Sequence, residues 1–141
     1  MIAMIIVSAC LAGVECRYNG SACSVPQIVD MVIQGKAIPI CPEILAGLPT
    51  PRPPVEQIKG KIISLNGDDQ TDPYTAGAQM GLEIAVVSKC KKAVLKSKSP
   101  TCGSGRIYDG TFSGTIVSGD GIFAKMLKEK GIEVCTEEIY S

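Results

Sequence analysis

IAMIIVSACLAG, residues 2–13, opens on six apolar residues, Ile2–Val7, and closes on a cysteine and a glycine. A run this short, rich in β-branched side chains and without polar alternation, predicts a strand buried on both faces, as in the middle of a parallel sheet. It is too short to span a membrane. No basic residue precedes it, so it does not read as a secretory signal. The chain turns polar after Val7, and Cys10 stands where the strand ends.

The rest of the chain repeats this pattern. Pro26 opens a helix in which Ile28, Val29, Val32 and Ile33 keep helical spacing, with Gly35 at its end. Ala37–Ile40 is a second strand, and its Pro39 marks an edge or a strand end. The segment 42–54, PEILAGLPTPRPP, carries five of the nine prolines and is expected to be a stiff loop without helix. Residues 61–65 suggest a small strand ending in the hairpin-type turn Asn66-Gly67. Thr71 or Asp72 is expected to cap a helix running to about Ser88, with Ala76, Met80, Ile84 and Val87 along its apolar face. A third main strand, Ala93–Leu95, leads into a long glycine-rich loop from Ser97 to Gly121. A helix from Ile122 to Lys130 ends at Gly131, and Ile132–Cys135 is the last strand.

Strands alternating with helices predict an α/β fold with a mostly parallel sheet between helical layers, Rossmann-like, in a single domain over residues 1–141. In such sheets ligands bind outside the carboxyl ends of the strands.

Composition narrows the chemistry. Fourteen Lys and Arg balance fourteen Asp and Glu. No duplex nucleic acid is therefore expected as a partner, because phosphate binding needs clustered positive charge. No membrane partner is expected either. The sequence contains no histidine, which rules out a Ser-His-Asp triad, a Cys-His dyad and every His-bearing metal site. Seven cysteines without a CxxC, together with the absence of a signal, suggest a cytoplasmic protein with reduced thiols.

Cys10, Cys41 and Cys102 each follow one of the three main strands. Parallel topology brings them to one rim of the sheet, with strands ~4.8 Å apart if they are neighbours. Three soft donors and no histidine suit zinc, copper(I) or an iron–sulfur cluster. A structural zinc wants four protein ligands, whereas a 4Fe–4S cluster held by three cysteines leaves one iron open as a Lewis acid. Glu43, two residues after Cys41, could serve as general base toward water or could cap backbone N–H groups of the loop. Ser99 could donate to a substrate or be an ordinary turn serine before Pro100. Arg17, Tyr18, Arg52 and Tyr108 could line a pocket for a planar ring, or Arg52 could hold loop carbonyls. Cys90 and Cys135 are expected to be packing residues, while Cys16 and Cys23 read as spare thiols or a transient disulfide.

Four stretches carry a resemblance: SACLAGVECRYNG (8–20), CPEILAGLPTPRPPVE (41–56), LKSKSPTCGSGRIYDGTFSG (95–114) and GDGIFAKML (119–127) with GIEV (131–134). Together they resemble the small bacterial family of TudS-type thiouracil desulfidases, from about Ile5 to Glu137. The resemblance implies that Cys10, Cys41 and Cys102 hold a 4Fe–4S cluster through three irons. The open fourth iron would then take the sulfur of a thiolated pyrimidine. It further implies that Glu43 is the catalytic glutamate and Ser99 its assisting serine, with Cys16 and Cys23 not carried over as ligands. The implied reaction is non-redox desulfuration of thiouracil to uracil plus sulfide, by a cytoplasmic hydrolase or lyase acting on a small thiolated base. Two other classes stand beside it. A non-catalytic iron–sulfur or thiol redox-sensing module needs the cysteines but not Glu43, and a small base-binding protein needs neither iron nor thiolates.

Overall fold

Four parallel strands make the central sheet: β1 (Ile5–Ser8), β2 (Ala37–Ile40), β5 (Lys92–Leu95) and β8 (Glu133–Thr136), in the order β2-β1-β5-β8. The structure is a computed structural model and describes residues 4–140. β1 starts at Ile5, so the expected strand positions Ile2 and Ala3 lie outside the described residues. β1 and β5 occupy the interior of the sheet, as suits their apolar runs Ile5–Val7 and Ala93–Leu95. β2 lies at an edge, where Pro39 removes no ladder donor that the sheet needs.

Strand alternation divides the core into two. Ile6, Ala93 and Leu95 face one cluster, built with α3 (Thr71–Val87) and α4 (Ile122–Glu129) through Ala78, Ala85, Phe123 and Leu127. Val7 and Val94 face the other, with Ile28 of α1 (Pro26–Ile33). Neighbouring residues on β1 and β5 thus serve opposite layers, and the sheet is covered on both sides.

Four expectations change. The proline-rich segment does hold a short helix, α2 (Pro42–Leu45), because Pro42 occupies its first turn, where a missing N–H costs nothing. Of the expected apolar face of α3, Ala76, Met80, Ile84 and Val87, only Ile84 packs against the core. Tyr74, Gly77, Ala78, Gly81 and Ala85 are buried, while Met80 is 45% and Val87 81% exposed. Small residues face inward because the neighbours come very close. A Cβ on Gly77 would overlap the Pro42 carbonyl, and one on Gly81 would lie 2.8 Å from the Phe123 ring. Neither Thr71 nor Asp72 caps α3. Instead Thr71 Oγ1 accepts the Ile62 N–H at 2.9 Å, tying the helix start to β4 (Lys61–Ser64). Finally, the glycine-rich loop contains an antiparallel hairpin, β6 (Arg106–Tyr108) with β7 (Ile116–Ser118).

β4 is present as expected, and Asn66-Gly67 reverses the chain into an antiparallel bridge between Ile63 and Asp69. Its main partner is β3 (Val55–Ile58), joined through Lys59-Gly60. This small sheet bears on the site described next. Among the described residues no helix is long and apolar enough to cross a membrane.

Candidate active site

The order β2-β1-β5 makes the three expected strands neighbours, so their cysteines share one rim. Cys10 lies in a 3-10 turn directly after β1, and Cys41 links β2 to α2. Cys102 lies in the turn after β5. All three line one cavity of about 570 Å³ at the carboxyl ends of the strands. Cys10 and Cys102 are buried and Cys41 is half-buried.

These thiols sit in a setting that opposes bare thiolates. Burial pushes Cys10 up to about 12, helped by the neighbouring Cys23 and Cys41. Burial pushes Cys102 well above the ordinary thiol range, with Glu43 adding to it. The hydrogen bond with Cys16, burial and Glu43 together hold Cys41 in its protonated form. Such groups give up their protons when a bound metal offsets the desolvation. Among the described residues no three Cys, Asp or Glu side chains are grouped so as to hold a single metal ion. A cluster makes no such demand, since it offers each cysteine its own iron. The donor set, three soft sulfurs on three adjacent strand ends, therefore fits an iron–sulfur cluster better than a mononuclear metal.

Glu43 enters the same cavity from the first turn of α2. The buried Thr101 hydroxyl donates to its Oε2 at 3.1 Å, the Cys41 thiol points at its Oε1 from 3.6 Å, and Arg52 Nη2 lies 3.9 Å from Oε2. No backbone N–H is capped by this carboxylate among the hydrogen bonds of the described residues, so it remains directed at the cavity. Arg52 acts as a buttress, donating to the carbonyls of Cys16 at 2.9 Å and Pro49 at 3.3 Å. It lines the cavity as well, as do Arg17, Tyr18 and Tyr108.

Ser99 serves as a turn residue and faces the cavity too. Its Oγ accepts the N–H groups of Thr101 at 3.1 Å and Cys102 at 3.0 Å, which shapes the turn that presents Cys102. Its own hydroxyl proton is not used in either bond. Cys16 is buried against Cys41 and lines the cavity. Cys23 packs on the core cluster containing Cys10. All seven cysteines are free thiols. Cys90 and Cys135 pack in the two core clusters, as expected of them.

Sequence reasoning missed Thr101, Glu56 and Phe112. Thr101 is adjacent to Cys102 and could have been suspected from that alone. Glu56 gives no local signal, because its partners lie more than fifty residues away.

Fold and site together define a parallel α/β protein with a thiol-lined cavity at its strand ends. The chain belongs to the 2-thiouracil desulfurase family, whose model matches residues 5–139. It is similar over 95% of both chains to the uncharacterized protein YbbK of Bacillus subtilis (strain 168), at 44% identity. It is also similar to a solved structure of the [4Fe-4S]-dependent thiouracil desulfidase TudS. The two share 39% identity and superpose with a TM-score of 0.92, covering 96% of this chain and 91% of the other.

Proposed function

We propose that this protein is a thiouracil desulfidase. In its reaction water replaces the sulfur of a thiolated pyrimidine, giving uracil and hydrogen sulfide with no net redox change. The enzyme is then a hydrolase acting on a C–S bond, needing neither reductant nor ATP, and it works as a single α/β domain. The observation that carries the reading is the meeting of Cys10, Cys41, Cys102 and Glu43 in one cavity.

Cys10, Cys41 and Cys102 would hold a 4Fe–4S cluster. Bound there, the cluster supplies a soft Lewis acid suited to a thiocarbonyl sulfur, which draws electron density from the ring carbon. Glu43 takes a proton from the attacking water. Thr101 and Arg52 hold its carboxylate in place from one side, which fixes the proton acceptor relative to the ring. The Ser99 hydroxyl, its oxygen already committed to two backbone N–H groups, directs its proton toward the heterocycle. Free thiols and an oxygen-sensitive cofactor fit a reducing cytoplasm.

Anaerobic reconstitution with iron and sulfide tests this, followed by assay of sulfide release from 2-thiouracil and 4-thiouracil. Roughly four irons per chain are expected. Uracil formation should fall about 10²- to 10⁴-fold in Glu43→Ala. A stable cluster with no turnover of either base would remove the desulfidase reading. One observation favours a second reading, a thiol redox-sensing module: Cys16 lies directly against Cys41. In that case Cys16→Ser would abolish the response and Glu43→Ala would be silent.

A further inference from the structure

The chain has four tyrosines, two phenylalanines and no tryptophan, yet Tyr18, Tyr74, Tyr108 and Phe112 all line the cavity that the three rim cysteines share. Phe112 is the least expected of them. It lies at the tip of the β6–β7 hairpin, residues 109–115, whose outer edge is a run of polar contacts. Asp109 Oδ1 accepts from the Thr111 N–H at 2.9 Å and its hydroxyl at 2.6 Å. The Thr111 and Ser113 hydroxyls are 2.6 Å apart, and those of Ser113 and Thr115 are 2.8 Å apart. Thr111, Ser113, Gly114 and Thr115 are exposed, whereas Phe112 is half-buried and lines the cavity. It belongs to neither core cluster.

The backbone of Phe112 is left-handed, at φ +57°, a conformation that bulky residues rarely adopt. The other non-glycine residues with positive φ among those described are all lysines. A carboxylate holds this conformation: Glu56 Oε1 accepts the N–H groups of both Gly110, at 3.0 Å, and Phe112, at 3.1 Å. The tip lies so close to β3 that a Cβ on Gly110 would come within 2.8 Å of Ile58. The next residue of β3, Gln57, donates to the carbonyls of Pro100 and Asp120, both at 3.2 Å. One strand thus fixes both the hairpin tip and the turn carrying Cys102.

We propose that Phe112 is a specificity-determining residue whose ring forms one face of the subsite for a planar heterocycle. Glu56 is a positioning residue that acts through it. Strain of this kind persists where surrounding contacts enforce it, and here the residue so held is an aromatic one that lines the cavity. Stacking on an aromatic ring rewards planar, polarisable bases whatever their hydrogen-bond pattern. The chemical identity of the ring rests on the desulfidase reading; its planarity is what Phe112 selects.

The test is equilibrium binding of 2-thiouracil to the reconstituted holoprotein, alongside iron content and turnover. Phe112→Asn removes the ring but tolerates left-handed backbone. It should weaken binding and raise KM about tenfold with iron content unchanged and kcat within about threefold of wild type. Phe112→Tyr should restore wild-type KM. Glu56→Ala should reproduce the Phe112→Asn defect, Glu56→Gln, which keeps an acceptor oxygen, should rescue it, and the double variant should be no worse than either single one. Turnover with a KM indifferent to Phe112 would overturn the proposal and leave the desulfidase standing. Phe112-dependent binding without sulfide release would do the reverse. A wild-type holoprotein that binds no 2-thiouracil would overturn both.

Discussion

Thr101 Oγ1 donates a hydrogen bond of 3.1 Å to Glu43 Oε2, joining the turn that carries Cys102 to the helix that follows Cys41. Thr101 is fully buried, so this bond forms in a site where its hydroxyl has little access to competing water. It fixes the carboxylate relative to two of the three rim cysteines.

Thr101→Val removes the hydroxyl while keeping the shape of the side chain. Stability should fall by about 1.5–3 kcal/mol, the worth of a hydrogen bond to a charged group. If Glu43 is the proton acceptor, the kcat for thiouracil should fall as well, by about 10- to 100-fold, because Glu43 loses its orientation. Iron content should match that of wild type. Steady-state kinetics beside a denaturant melt separates the two effects, and a loss of stability with kcat unchanged would mean that Thr101 only supports the fold.

Gly77→Ala places a methyl group on the Pro42 carbonyl, between Cys41 and Glu43. The obstruction is backbone, which cannot rotate away, so the cost should reach about 2–3 kcal/mol, with α2 displaced from α3. Gly81→Ala meets the Phe123 ring instead, a side chain at 2.8 Å rather than overlapping backbone, and should cost less. Thermal denaturation of the two variants should rank them in that order. Only Gly77→Ala should also reduce iron loading.

Glu137 is bonded to Lys96 and Ser97, which follow β5 at the rim. Burial alone would raise its pKa. The bonds it accepts from the Ser97 hydroxyl at 2.8 Å, the Ser97 N–H at 2.6 Å and Lys96 at 3.2 Å outweigh that and hold it below the ordinary glutamate value. A carboxyl lowered on folding stabilises the protein fully above its unfolded value, 4.5, and loses that contribution as the pH falls through the folded one. Glu137→Gln should therefore cost about 1–2 kcal/mol at neutral pH and flatten the decline of stability below about pH 4.5. Urea melts at a series of pH values read this directly.

Much of the architecture was legible because apolar runs reveal buried strands. Ile5–Val7, Ala37–Ile40 and Ala93–Leu95 carry the sheet, and the cysteines that follow them mark its rim. The position of α3 was equally clear, but its buried face was not. Hydrophobicity points to Met80 and Val87, while the fold needs Gly77 and Gly81, where neighbours approach too closely for side chains. The β6–β7 hairpin was hidden because RIY and IVS are three-residue strands among glycines. α2 was hidden by prolines that suit a first helical turn as readily as a loop. Cys10, Cys41 and Cys102 could be singled out from their place after strands, whereas Glu43 and Ser99 stood out only by nearness to those cysteines and took their roles from the family resemblance. The bonds that Thr101 and Glu56 make span more than fifty residues and leave no trace in local sequence.

The seven free cysteines should separate into functional groups by their response to serine. Cys10→Ser, Cys41→Ser and Cys102→Ser each replace a soft donor at the rim with a hard one, so each should lose most of the iron taken up on anaerobic reconstitution. Cys90→Ser puts a hydroxyl into the core cluster between α3 and β5, and Cys135→Ser does so in the opposite cluster. Both should lower stability by about 1–3 kcal/mol while the folded fraction still loads iron fully. Cys16→Ser is the informative case, since Cys16 lines the cavity without following a strand. Its iron content should be normal if three cysteines suffice. A loss equal to that of Cys41→Ser would make Cys16 a fourth ligand and leave no open position for a substrate sulfur, against the proposed mechanism. Iron and sulfide assays on the purified variants, prepared without oxygen, decide between these outcomes.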